Sequence, residues 1–246
     1  MNFNYKFAAE TLLIAIKAIP VSLKIVIVSV GLALIPAFLI AITRVKKIKF
    51  ISPLFALFVS ANRGFPIVIQ VLIVYSFVPY LLNTIFSFFK IGINIYELNP
   101  IIYAYIVFTL TSIASLSEIF RASLQTISRG QFEAGLSTGL SVFQIYRRII
   151  IPQAFVSAVP NICNTIVGLL KSTSLAYYMT IKDITGAALT QASLGYNFIE
   201  AYLDVFAIYI VLCTVTQFLF QLLERFLDVG KNGGIKPKSA FTKIAA

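Results

Sequence analysis

Residues Ile127 to Pro152, ISRGQFEAGLSTGLSVFQIYRRIIIP, form the one long polar segment in the middle of an otherwise apolar chain, and their spacing predicts two short capped helices. Ser128 followed by Gln131 has the form of a capping box: the hydroxyl accepts from the third helical amide while the glutamine reaches back to the cap's own amide. Ser141 followed by Gln144 repeats the pattern, and Gly139, just before it, suits the left-handed position at which the first helix stops. Pro152 is expected to close the second helix. On that helix Val142, Ile145, Tyr146 and Ile149 recur at helical spacing with Arg147 and Arg148 turned elsewhere, so it should lie along a surface and not span a membrane.

The rest of the chain is of another kind. Of its 246 residues 59% are hydrophobic and only 12% charged, with a mean hydropathy of +0.92, which excludes an ordinary soluble globule and implies an all-α integral membrane protein in contact with membrane lipid. The net charge of +11 sits mostly in short tracts bordering apolar runs. The positive-inside rule accounts for such tracts, so no nucleic-acid partner is expected. The chain has no histidine, and Cys163 and Cys213 fall inside apolar runs, where they read as small hydrophobes. With no His, Cys or carboxylate cluster to carry chemistry or hold a metal, neither a catalytic nor a metal site is expected. The first apolar run lacks a cleavage site and should serve as an uncleaved insertion signal.

About five transmembrane helices are expected, with the amino terminus outside and the carboxyl terminus cytoplasmic. Residues 1–20 mix Phe3, Phe7, Leu12, Leu13 and Ile16 with Lys6, Glu10 and Lys17 and should lie in the interface up to Pro20. A single permease domain then covers 21–226. Val21 to Thr43 is long enough to cross about 30 Å of hydrocarbon, and the cluster Arg44, Lys46, Lys47, Lys49 marks its end as cytoplasmic. A less regular stretch, Phe50 to Ala61, leads to a break at Arg63-Gly64-Phe65-Pro66 and a second span to about Ile85. Lys90 to Asn99 should be an external loop; the third span runs from Pro100 to about Phe120, with Thr111, Ser115 and Glu118 on one face. The loop 127–152 follows on the cytoplasmic side. A fourth span covers about Ala154 to Leu175, Tyr177 to Asn197 reads as a short outer helix with loops, and a fifth span covers about Glu200 to Leu223. Residues 227–246 form a basic cytoplasmic tail.

Glu133-Ala134-Gly135, three residues, Gly139, nine residues and Ile149-Ile150-Ile151-Pro152 resemble the EAA loop of permease subunits of bacterial ABC importers, whose pattern is E-A-A, three residues, G, nine residues, I-x-L-P. Gly135 stands for the second alanine and Ile151 for the leucine; the glycine should make the first helix less stable by roughly 1 kcal/mol. Arg63-Gly64-Phe65-Pro66 with Gln70, Glu118-Ile119-Phe120-Arg121, Gln131-Phe132-Glu133-Ala134 and Leu170-Lys171-Ser172-Thr173-Ser174-Leu175 are similar to stretches of the polar amino acid branch, which imports histidine, glutamine, glutamate and arginine. The resemblance implies two short coupling helices between spans three and four. Glu133, Ala134, Gly135, Ser137 and Gly139 would meet an ATPase subunit, and Ile149 and Pro152 would set how the second helix rejoins the bundle. It implies further an ATPase dimer that binds ATP and Mg, a second permease subunit, identical or related, an extracytoplasmic solute-binding protein, and a bacterial cytoplasmic membrane location. No cofactor is expected in this chain, which has no phosphate-binding loop: Gly168-Leu169-Leu170-Lys171-Ser172 lacks the G-K dipeptide and lies in an apolar helix.

The fourth span carries Asn161, Thr165, Gly168 and Ser172 along one stripe, flanked by Asn164 and Lys171, which lipid would not tolerate; the helix is the candidate lining of a substrate pathway. Lys171, with Ser172, Thr173 and Ser174, either meets a substrate carboxylate or snorkels to the outer headgroups, and both readings stand at this stage. Glu118, a further pathway candidate, can instead pair with Arg121 at i,i+3. An ion-coupled secondary transporter would call for inverted repeats and a buried carboxylate relay, and the chain shows neither.

Overall fold

The computed structural model describes residues 3–90 and 95–229; residues 91–94 of the expected external loop and 230–246 of the expected tail lie outside them. Among the described residues there are helices and no strands. Five helical stretches are long and apolar enough to cross a membrane: Tyr5–Val45, Ile67–Phe88, Ile101–Gln125, Val142–Met179 and Phe198–Leu227.

The first stretch is two helices in near-continuous succession, α1 (Tyr5–Lys17) and α2 (Ile19–Val45). Pro20 does not end α1. It stands in the first turn of α2, where a missing N–H leaves no bond unmade. One face of α1 packs on α9 (Ile184–Ala192) and α10 (Phe198–Val229), burying Thr11 and Ala15 completely, and the Asn4 amide donates to Glu200 Oε1 at 2.9 Å.

Of the stretch 50–61 only Phe50, at φ +67°, is irregular, and residues 51–61 are helical. They form most of α3 (Ile51–Gly64), because Pro53 falls in its first turn and nothing later in the run opposes a helix. The helix stops at Phe65, and Pro66 caps α4 (Ile67–Phe88). The break is held from the side: Gln70 Nε2 donates to the carbonyls of Asn62 and Phe65 at 2.8 and 2.9 Å, and Thr111 Oγ1 of α5 (Ile101–Gln125) donates to Gln70 Oε1 at 3.3 Å.

The most extensive helix pair is α2 with α5. Ser22, Ser29, Ala33, Ala37 and Ala41 of α2 are buried, and this seam of small side chains lets the backbones approach closely, as suits helices that have no water to drive them together. Against them pack Leu116 and Phe120 of α5 and Ala158 and Ile162 of α8 (Ile151–Ser172). A second cluster, with Ile25, Val71, Phe108, Leu170 and Met179 at its centre, ties α2, α4, α5 and α8 together toward the other end.

Candidate functional site

At one end of the bundle the loop between α5 and α8 builds a knob. α6 (Arg129–Ser137) begins after Ser128, whose hydroxyl makes no capping bond; the first expected capping box does not form, and the Gln131 amide is taken by the Ser128 carbonyl at 3.1 Å. The helix ends as expected at Gly139, with φ +78°. The Leu140 amide donates to the Gly135 carbonyl at 3.1 Å and the Gly139 amide to that of Leu136 at 3.0 Å, a Schellman closure. The second capping box is complete: Ser141 Oγ accepts from the Gln144 amide at 3.3 Å and Gln144 Oε1 from the Ser141 amide at 2.9 Å.

The helix this box opens, α7 (Val142–Ile145), is not closed by Pro152. It runs through a wide π turn (Tyr146–Ile150) straight into α8, with Pro152 in the first turn of α8. A proline at 152 cannot donate to the Arg148 carbonyl and crowds it, and the turn before it loosens instead of breaking: the Ile151 amide reaches back five residues to the Tyr146 carbonyl. The knob and the fourth span are therefore one helical path.

The knob is seated by Leu124, Ile145, Ile150 and Ala154, around which Val45, Phe132 and Tyr146 pack. Phe132 and Tyr146 meet edge to face at 6.1 Å, and Lys46 Nζ lies 6.0 Å from the Tyr146 ring. Gly135 is buried against Ile145. Of the residues expected to form a contact, Glu133, Ala134, Ser137 and Gly139 are exposed on one side; Gly135 faces inward, Ile149 is half-buried, and Pro152 is exposed at the root of α8. The sequence pattern missed Leu136, Val142 and Phe143, which are 48%, 50% and 71% exposed and give the knob an apolar tip. Val142 had the spacing of the buried stripe, but it is the first residue of the helix, at the tip of the knob, and stays half exposed.

Above the knob, α8 turns a polar stripe to the outside of the single chain. Asn161, Asn164, Gly168 and Lys171 are exposed and Thr165 and Ser172 half-buried, with their hydroxyls returned to the carbonyls of Asn161 and Gly168 at 3.0 and 2.9 Å. Two predicted pathway residues are elsewhere. Thr173 is fully buried, donating to the Leu170 carbonyl at 2.7 Å and lying 3.2 Å from the Tyr209 hydroxyl of α10. Glu118 is held between two arginines, Arg44 Nη1 at 2.7 Å and Arg121, whose Nε lies 3.1 Å from Oε1 and whose Nη2 also pairs with it. Arg121 was expected; Arg44 was not, because as one of a run of cations it reads only as a topology signal.

Tyr209 leads to a buried carboxylate. Asp183, wholly inaccessible, caps α9 by accepting from the Gly186 amide at 2.8 Å and lies 3.4 Å from the Tyr209 hydroxyl. Burial pushes its carboxyl up to about 6, against the amide bonds of Gly186 and Thr185 and the Tyr209 hydroxyl that pull it down. The region expected to be a short outer helix with loops holds the helix α9, and it is anchored: Ile184, Ala188 and Ala192 are fully buried. Where the chain passes from α8 to α9, Tyr177, Tyr178, Lys182 and Thr190 line an open cavity of about 580 Å³, none of which the sequence pattern singled out as a site.

Five spans, a knob continuous with one of them and a polar face on that same span define the membrane subunit of an importer. The chain belongs to the family of binding-protein-dependent transport system inner membrane components, which matches residues 5–229, and it is a permease of the ABC importer class. It is 33% identical over 227 residues, 92% of this chain and 97% of the other, to the probable amino-acid permease protein YxeN of Bacillus subtilis (strain 168). It is 31% identical over 207 residues, 84% of each chain, to the L-cystine transport system permease protein TcyL of the same organism. A crystal structure of an amino acid ABC transporter with histidines superposes with a TM-score of 0.77 at 25% identity, over 92% of this chain and 99% of the other. An inward-facing MetNI methionine ABC transporter shares the fold, with a TM-score of 0.69 at 17% identity over 87% and 96%.

Proposed function

We propose that this permease carries polar amino acids into the cytoplasm across the bacterial cytoplasmic membrane, as one of two permease subunits, identical or related. Beneath the pair sits a dimer of ATPase subunits that binds ATP and Mg, and an extracytoplasmic solute-binding protein delivers the substrate. The amino terminus is outside and the knob inside, a reading supported by Arg44, Lys46, Lys47 and Lys49 at the end of α2 and Arg129, Arg147 and Arg148 in the loop. Support for the substrate class comes from the amino-acid and L-cystine permeases among the relatives and from the polar stripe of α8.

The observation that carries the mechanism is the continuity of α7, the π turn and α8. An ATPase that grips Ala134, Ser137 and the apolar tip at Phe143 moves the helix that bears Asn161, Asn164, Gly168 and Lys171, along one helical path that passes through the π turn and Pro160. Closure of the ATPase pair on ATP draws the two knobs together and opens the pathway outward; hydrolysis resets it. Glu133 and Gly139 lie at the same contact, and Ile149 and Pro152 transmit it.

The test is cysteine crosslinking in membranes from a single cysteine at Ser137, with the buried Cys163 and Cys213 replaced, to cysteines on candidate ATPase subunits. A crosslink that changes with ATP is the expected result. Its absence with every candidate, together with uptake by the chain alone on an ion gradient, would overturn the reading.

A further inference from the structure

A second feature of the loop end is independent of the transport reading. Between α2, α5 and α8 runs an open groove of about 270 Å³, lined by Ile35, Phe38, Leu39, Phe120, Phe155 and their neighbours, with Ser123 as its one polar side chain. It opens sideways: Ile35, Leu39 and Phe155 are 74%, 58% and 51% exposed. All three walls belong to spans, so the groove lies at the depth of lipid chains.

Beyond its lining, toward the knob, the helices of two walls carry cations. On α2 the stripe Ile35, Leu39 continues at helical spacing to Lys46, and on the other wall Phe155 and Ile151 lead back one further turn to Arg147, with Arg148 beside it. The two walls meet there, since Lys46 Nζ lies 6.0 Å from the Tyr146 ring. Lys46, Arg147 and Arg148 are exposed, and none is in an ion pair with a carboxylate among the described residues. Glu118 is bound by Arg44 and Arg121, and Glu133 lies with Arg129 in a neighbouring cavity that Tyr146 also lines and that meets the groove at Leu124.

We propose that this groove is a binding site for an anionic phospholipid, with an acyl chain along Ile35, Leu39 and Phe155 and the phosphate among Lys46, Arg147 and Arg148. An apolar slot at hydrocarbon depth ending in unpaired cations at a span terminus matches the two halves of such a lipid. A second copy of this chain fits less well, because it brings the same cationic rim to a contact that offers no acid. Alanine at 154, with little side chain between Ile151 and Phe155, leaves the room that the acyl chain occupies.

The chain contains no tryptophan, so one introduced by Ile35→Trp, or by Phe155→Trp should the first fail to fold, is a unique reporter of the groove. The full chain is reconstituted into vesicles of phosphatidylcholine and phosphatidylglycerol, with one or the other brominated on its acyl chains, and quenching gives the relative affinity at the reporter. A preference for phosphatidylglycerol of about tenfold is expected, falling to about onefold in K46Q/R147Q/R148Q. Phe50→Trp, beside Lys49 at 5.8 Å but outside the groove, reads general attraction of anionic lipid to basic surface. Equal preference at both reporters would overturn the site, as would equal quenching by the two lipids in the groove. Absence of quenching by either lipid would show a protein surface there, and would overturn it as well.

Discussion

Gly135 and Ile145 are packed with no room for a methyl group between them: a Cβ placed on Gly135 would stand 2.7 Å from Ile145 Cγ1 and 3.0 Å from Cδ1. Ile145 is fully buried and, being β-branched, has little freedom to turn away. The glycine that departs from the family's alanine is thus where α6 lies down on α7. Gly135→Ala is expected to destabilise by about 1 kcal/mol, the overpacking term outweighing the gain in helix propensity. Gly135→Ala in an Ile145→Ala background should instead be neutral or stabilising. Thermal unfolding of the four chains of this cycle measures the coupling.

The two expected capping boxes separate in the structure, and their serines should separate in stability. Ser141→Ala removes a formed box and is expected to cost about 1 kcal/mol, whereas Ser128→Ala, whose hydroxyl makes no capping bond, should cost a few tenths at most. Melting of the two variants side by side decides it; equal losses would contradict the geometry described.

Glu118 pairs with two guanidinium groups, and the three side chains are between 14% and 27% exposed, intermediate between a surface pair and a buried one. Glu118→Gln is therefore expected to cost about 2 kcal/mol, since it strands both Arg44 and Arg121. Arg44→Gln should cost less, because Glu118 keeps Arg121. Unfolding of the purified variants in one detergent should give that order, with the gap narrowing in high salt.

Asp183 makes the stability depend on pH. Its carboxyl is pushed from 3.8 up to about 6 by burial, so between these values the folded chain holds a proton that the unfolded chain has released. Acidification through that window stabilises the fold, and the penalty of the buried charge is present in full above about pH 6. Asp183→Asn keeps an efficient cap and carries no charge. It is expected to exceed the parent in stability by about 2 kcal/mol at pH 7.5, with the difference vanishing near pH 4. A parent whose melting temperature, relative to Asp183→Asn, does not rise between pH 7 and pH 5 would show that the carboxylate is better solvated than its burial implies.

Lys171 shares its exposed face with Asn164, Gly168 and Asn161. In a pathway role, Lys171→Met should lower uptake by the reconstituted complex at least several-fold while leaving chain abundance unchanged. Unchanged uptake and substrate affinity would assign the ammonium to the headgroups.

What was legible in the sequence is what depends on neighbours along the chain. Apolar run length set the five spans, Gly139 the end of α6 and the Ser141 box the start of α7, because transfer into lipid, left-handed backbone and capping are each satisfied within a few residues. The i,i+3 pair of Glu118 and Arg121 belongs to the same class.

Tertiary structure decided everything that joins distant residues or chooses between equal local options. Arg44 reaches Glu118 across 74 positions, and it could not be told from Lys46 or Lys47 until the small-residue seam of α2 met α5. Thr173, beside Ser172 and Ser174 in sequence, is the one of the three turned wholly inward, because Tyr209 and buried Asp183 stand on that side. Pro152 reads as a stop, yet the backbone passes it through a π turn, since packing of Ile150 and Ala154 against Leu124 holds the helix on course. A helix stop or a polar stripe is a local preference of a kilocalorie or a few, and the packed neighbours that outweigh it lie far away along the chain.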